Sequence, residues 1–134
     1  MNIIIGKITR DPLDLSRQIR IDRGTIMGNP FYLAEDANGN KDREFNLKIY
    51  RLYLNLVIRK GLTPMESVTG LANQYELFIP NIWQKPTREA FMIEYNRMVT
   101  IAKIQPIELM CFCHPKKCHG DILKSAIQWS IDNG

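Results

Sequence analysis

The chain has 134 residues, enough for one domain, and its 45% hydrophobic and 24% charged residues exclude a disordered chain. Its net charge of +4, from 18 basic and 14 acidic residues, is compatible with a phosphate-bearing ligand but by itself is weak support for nucleic-acid binding. The 3 cysteines are an odd number, against a secreted disulfide framework, and no apolar run approaches the roughly 18 to 20 residues of a membrane span. With no signal pattern at the N-terminus, a cytoplasmic location is expected.

In chain order, residues 2–8 are β-branched and apolar and predict a first strand that ends at Arg10-Asp11-Pro12. Residues 17–24 place Ile19 and Ile21 between charged residues, the period of a half-exposed second strand closing at Gly24. Met27-Gly28-Asn29-Pro30-Phe31 then breaks regular structure, with Gly28 suited to positive φ and Asn29 held extended before proline. Such a loop offers backbone N–H groups and an amide to a ligand, or it is a tight turn plugged by Phe31. A helix follows over 42–60, with Phe45, Ile49, Leu52, Tyr53 and Leu56 at helical spacing and a glycine C-cap at Gly61. Its basic residues Arg43, Lys48, Arg51 and Arg59 take the remaining surface.

Thr63-Pro64-Met65-Glu66 is a capping box that starts a second helix. Residues 77–86 carry two prolines and read as irregular, yet Phe78, Ile79, Ile82 and Trp83 are apolar for a loop, as at a homo-oligomer contact or in packing within the chain. A third helix begins after Thr87, burying Phe91, Tyr95, Met98, Val99 and Ala102. Residues 107–113 predict a buried strand, and Asp121 caps a last helix with an inner face of Ile122, Ala126, Ile127 and Trp129. The order β-β-α-α-α-β-α predicts a single α/β domain: a small, largely parallel sheet covered by helices in a Rossmann-like three-layer arrangement. Ligands of such sheets sit beyond the C-terminal strand ends, where residues 23–31 and 113–120 would form opposite walls of one pocket.

All the cysteines and histidines fall within nine positions: Cys111, Cys113, His114, Cys118 and His119. Three readings compete. In the first, Cys111, Cys113, Cys118 and His119 (or His114) hold zinc, although C-x-C-x4-C-H is not a standard finger spacing. In the second, Cys118 and His119 start a helix whose dipole, with Lys116 and Lys117, depresses the thiol pKa and favours a nucleophilic thiolate. In the third, Cys111 and Cys113 are small buried hydrophobes, with Asp121 as a cap and His119 satisfied by backbone.

The combination of G-N-P-F at 28–31 with C-x-C-x-P-x-x-C-H-G-D at 111–121 resembles a family of small phage and bacterial proteins catalogued as a domain of unknown function. The resemblance implies that Arg23, Gly28, Asn29, Pro30, Phe31, Tyr50, Cys111, Cys113, Pro115, Cys118, His119, Gly120 and Asp121 occupy motif positions, joined by Arg43. It implies that His114 does not. Asp22 stands where a glycine commonly precedes the motif arginine, and residues 61–104 exceed the compact family connection, so they are expected as a helical insertion. A phage context would place the protein in the host cytoplasm.

The functional expectation is a pocket that binds or processes a nucleotide- or nucleoside-like molecule. Arg23, Gly28, Asn29, Arg43 and Tyr50 would contact the ligand, and Cys118, His119 and Asp121 would act at the reacting centre. The alternative is a zinc-stabilised module that binds host protein or nucleic acid.

Overall fold

The structure is a computed structural model, and it describes residues 3–31, 43–79, 81–112 and 118–134. Three short strands form its sheet: β1 (Ile3–Lys7), β2 (Gln18–Arg20) and β3 (Ile107–Cys111). Four helices accompany them: α1 (Arg43–Ile58), α2 (Pro64–Tyr75), α3 (Arg88–Ile104) and α4 (His119–Asn133). The sheet order is β1-β3-β2, and both pairings are parallel. The chain is thus a small α/β domain with a parallel sheet and Rossmann-like layering, as the element order predicts.

β3 is central because its sequence tolerates burial; Ile107, Leu109, Met110 and Cys111 are all buried. Its register sets Ile3 opposite Ile107 and Lys7 opposite Cys111, while Ile19 lies opposite Leu109. The chain returns from β1 to β2 without a helix, held by Ile8 N–H to Cys111 O (2.8 Å) and Glu108 N–H to Arg17 O (2.8 Å). β2 is shorter than residues 17–24. After Ile21 N–H bonds Met110 O (3.0 Å), the backbone turns at Asp22, whose carbonyl accepts from Thr25 N–H (3.0 Å). Ile19 and Ile21 are nonetheless both buried, as their period requires.

α4 packs on β1 and β3 and is flanked by α1 and α3, while α2 packs against α1. α2 starts with the expected capping box: Thr63 Oγ1 accepts from Glu66 N–H (3.1 Å) and the Glu66 carboxylate accepts from Thr63 N–H (3.0 Å). α3 is capped by Thr87 and buries the five residues that its spacing singles out. Gly61, after α1, takes the left-handed conformation at φ 76° that a C-cap glycine provides.

Two helix faces differ from the expected ones. α1 buries Asn46, Ile49, Tyr50, Tyr53, Leu54 and Val57, so its inner stripe lies one residue past the one starting at Phe45. Phe45, Leu52 and Leu56 are only partly buried. In α4 the buried residues are His119, Gly120, Ile122, Leu123 and Ile127, whereas Trp129 is exposed beneath the Arg59 guanidinium, 4.3 Å from its ring centroid. In the segment before α3, Trp83 is buried within its own chain while Phe78 and Ile82 are exposed. No helix among the described residues is long and apolar enough to cross a membrane.

Candidate functional site

A cavity of about 310 Å³ opens beyond the C-terminal ends of β2 and β3, the size of a small-ligand pocket. The turn after β2 supplies Asp22, Arg23, Gly24 and Asn29; the first turn of α1 supplies Arg43, Asn46 and Leu47. Cys111 and Phe112 enter from the end of β3, Cys118 and His119 from the start of α4, and Ile82 closes the rim. Parallel pairing explains this convergence, because both strands deliver their following loops to one edge of the sheet.

The loop at 28–31 is tied by a dense set of hydrogen bonds. Asn29 Oδ1 accepts from Phe31 N–H (3.0 Å), and its Nδ2 donates to Asn46 Oδ1 on α1. Asn46 Nδ2 in turn reaches Phe31 O (3.4 Å). Arg23 Nη1 donates to Asn29 O (3.0 Å) and to Phe31 O. Arg23 therefore borders the cavity and also clamps the loop that forms its wall. Asp22, the departure from the motif glycine, fits its turn. The only non-glycine residues with positive φ among those described are Glu76 and Lys85, and the Asp22 carboxylate is held by Arg20 at 2.9 and 2.7 Å.

Gly28 serves a purpose different from the expected one. Gly61 is the one described glycine with positive φ, so Gly28 is not there for left-handed backbone. What it supplies is space: a Cβ would stand 2.5 Å from Asp22 O and 2.8 Å from Arg23 Cα. Both neighbours are backbone and cannot swing aside. Gly28→Ala is expected to cost about 1–3 kcal/mol, the usual range for overpacking. Urea denaturation at neutral pH measures this, and an unchanged midpoint would refute the steric account.

At the start of α4, Cys118 rather than Asp121 is the N-cap. Its Sγ accepts from Gly120 N–H (3.3 Å), and Asp121 completes the box by accepting from Cys118 N–H at 3.2 Å. Gly120 permits the close approach of helix to sheet, since a Cβ there would meet Ile21 Cδ1 at 2.9 Å. Cys118 Sγ also lies 3.0 Å from Cys111 Sγ, and both side chains are buried. The hydrogen bond with Cys111, followed by burial, raises the Cys118 pKa, and the Gly120 N–H only partly opposes them. This is opposite to the depressed thiol that a helix N-terminus suggests, because contact with a second sulfur and loss of water outweigh the dipole.

His119 Nε2 bonds Ile21 O. A carbonyl only accepts, so Nε2 carries the proton and Nδ1 holds the lone pair. The ring stands edge-on to Tyr50, with centroids 5.0 Å apart. Burial pushes its pKa down to about 4; Arg23 adds to the fall, while the Ile21 carbonyl, Asp22 and Asp121 oppose it. At neutral pH His119 is an uncharged imidazole.

The residues singled out in the sequence thus separate into groups. Arg23, Asn29, Arg43, Cys111, Cys118 and His119 share one cavity. Gly28 and Tyr50 stand behind its wall: Tyr50 is fully buried and donates its hydroxyl to Met27 O (2.7 Å). Asp121 is exposed and borders a neighbouring groove with Lys48 and Arg51. Cys113, His114 and Pro115 lie outside the described residues. Among the described residues no three His, Cys, Asp or Glu side chains are grouped to hold a metal.

Sequence reasoning does not assign Asn46, Leu47, Ile82 or Phe112 to the cavity wall. Asn46 had a signal, since it shares helical spacing with Ile49, Tyr50, Tyr53 and Val57, but a carboxamide at the head of an apolar stripe does not announce its partner. Phe112 and Ile82 are exposed, and single exposed apolar residues are ordinary.

Fold and site together define a small α/β protein with a cavity at the C-terminal edge of a parallel sheet, walled by two arginines on one side and a cysteine–histidine helix start on the other. The chain belongs to the family described as a domain of unknown function, DUF4326, whose family model matches residues 7–129. That match spans both motif loops and the segment between them. No curated protein and no solved structure matches the chain significantly.

Proposed function

We propose that the cavity binds, and in a catalytic version processes, a nucleotide- or nucleoside-like small molecule carrying an anionic group. One observation carries this reading: Arg23 and Arg43 border the same cavity as the apolar surfaces of Leu47, Ile82 and Phe112. Guanidinium groups suit phosphate, and an exposed phenyl ring suits a base. Asn29 and Asn46 fix the wall that presents Arg23. Cys118 and His119 would face the part of the ligand that reacts. With the thiol pKa raised and His119 neutral, their roles in the resting state are donor and proton acceptor rather than thiolate and imidazolium. Asp121 acts through the cap it closes on Cys118.

Calorimetric titration with nucleoside mono-, di- and triphosphates and with inorganic phosphate tests this reading. Arg43→Gln is expected to weaken the best ligand about ten-fold or more, the effect of losing one charge-assisted contact. Phe112→Ala should weaken a nucleotide and leave inorganic phosphate unchanged. Absence of binding to the whole panel at millimolar concentration would overturn the proposal.

The 3.0 Å approach of the Cys111 and Cys118 sulfurs favours a second reading, the zinc-stabilised module that binds host protein or nucleic acid. In it Cys113 adds a third thiolate, and His119 would ligate through Nδ1, since Nε2 is engaged by Ile21 O. About one zinc per chain in protein purified without chelator, lost together with folding when chelator is added, is the result that reading requires.

A further inference from the structure

The cysteine pair carries an inference about how the cavity is controlled. Cys111 ends the central strand and Cys118 caps the helix that packs on it, so both backbones are set by the core. Their sulfurs are 3.0 Å apart and both line the cavity. A disulfide needs about 2.05 Å between sulfurs, so roughly one ångström of side-chain motion separates the two states. The cavity also gives a small reagent a route to thiols that are otherwise buried.

We propose that Cys111 and Cys118 form a reversible dithiol–disulfide switch in the cavity wall, oxidised by a low-molecular-weight disulfide, and that closure weakens ligand binding. The gating half rests on the proposed function; the cross-link does not. In the first step one protein thiolate attacks a sulfur of oxidised glutathione, making a mixed disulfide and releasing one glutathione thiolate. The second protein thiol then displaces the other glutathione, with its proton passing to a departing thiolate. The net change is two protein thiols oxidised to one disulfide and one glutathione disulfide reduced to two thiols.

Closure alters the cavity at two points. It removes the S–H donors from the wall. It also draws the Cys118 sulfur away from Gly120 N–H, loosening the cap that sets His119 against Ile21. A loss of about five-fold in ligand affinity is expected, the scale of one neutral hydrogen bond.

The test treats wild-type protein and Cys113→Ser with oxidised glutathione and reads intact mass and linked peptides. The expected product in both is a chain lighter by two hydrogens with a Cys111–Cys118 link, reversed by reductant. A persistent glutathione adduct, no reaction, or a link that vanishes in Cys113→Ser overturns the switch. Affinity for the best nucleotide is then compared between the oxidised and reduced forms of Cys113→Ser. Equal affinity overturns the gating. A reduced protein that binds no nucleotide defeats the proposed function and the gating with it, while the cross-link still stands or falls on the mass.

Discussion

Asn46→Leu is expected to destabilise the protein by about 2–4 kcal/mol, because it breaks a buried carboxamide pair from one side. Asn46 is 5% exposed and Asn29 is 3% exposed, so water replaces the lost partner poorly at either. The variant withdraws the acceptor of Asn29 Nδ2 and a donor to Phe31 O, leaving polar groups of the loop in an apolar setting. Arg23 still holds Asn29 O and Phe31 O, so the loop loosens rather than detaches. Urea denaturation of Asn46→Leu, Asn29→Leu and the double variant separates pair energy from site energy. A double variant clearly more stable than the sum of the two single losses is the expected result. Strict additivity would mean that the two amides do not act as a unit.

Acid should destabilise the protein through His119. Its pKa is 6.5 ordinarily and about 4 when folded, because burial disfavours the charged ring. Between those values the unfolded chain binds a proton that the folded chain refuses, so stability falls as pH drops. The contribution is complete above about pH 6.5 and is lost progressively down to about pH 4, a span worth roughly 3 kcal/mol. The groups that bear on the ring are Arg23, which lowers its pKa, and Asp22 and Asp121, which raise it. Denaturation midpoints at pH 7 and pH 4.5 measure the effect, with His119→Gln as the comparison. The variant should begin less stable, having lost its contacts with Ile21 and Tyr50, and should show a shallower loss over the same interval. An equal slope in both proteins would assign the acid sensitivity to other groups.

Much of the architecture could be read from the chain. Capping chemistry at Thr63 and Thr87 is local and complete within four residues, so α2 and α3 start where the sequence says. The α3 stripe is buried as its spacing indicates, although Ile93 and Ile104 of the same helix stay exposed. α1 was harder: it carries apolar residues on both faces, and only the tertiary partners decide that Asn46 goes in and Phe45 stays partly out. The two motif loops were recognised from residue types, but not what each side chain touches. Arg23 turns back on its own loop, Tyr50 disappears behind it, and Asp121 faces a different groove. Those outcomes depend on contacts across separations such as the 98 residues between His119 and Ile21, which no local pattern encodes. The Cys118 thiol shows the same limit: a rule about helix ends gave one direction, and a neighbour seven positions away reversed it.

The strand order has a consequence for how the molecule comes into being. β1 and β2 are made first, yet among the described residues each pairs only with β3, which begins at Ile107. A nascent chain that has emerged as far as α3 still lacks the strand that lies between β1 and β2, so the sheet is a late event of synthesis. Until then, the N-terminal strand edges stay open to wrong partners. When β3 arrives it slots between them, and the same step brings the cysteine loop opposite the turn after β2. Assembly of the cavity and closure of the sheet are therefore one event, and a half-made chain holds no half-made site.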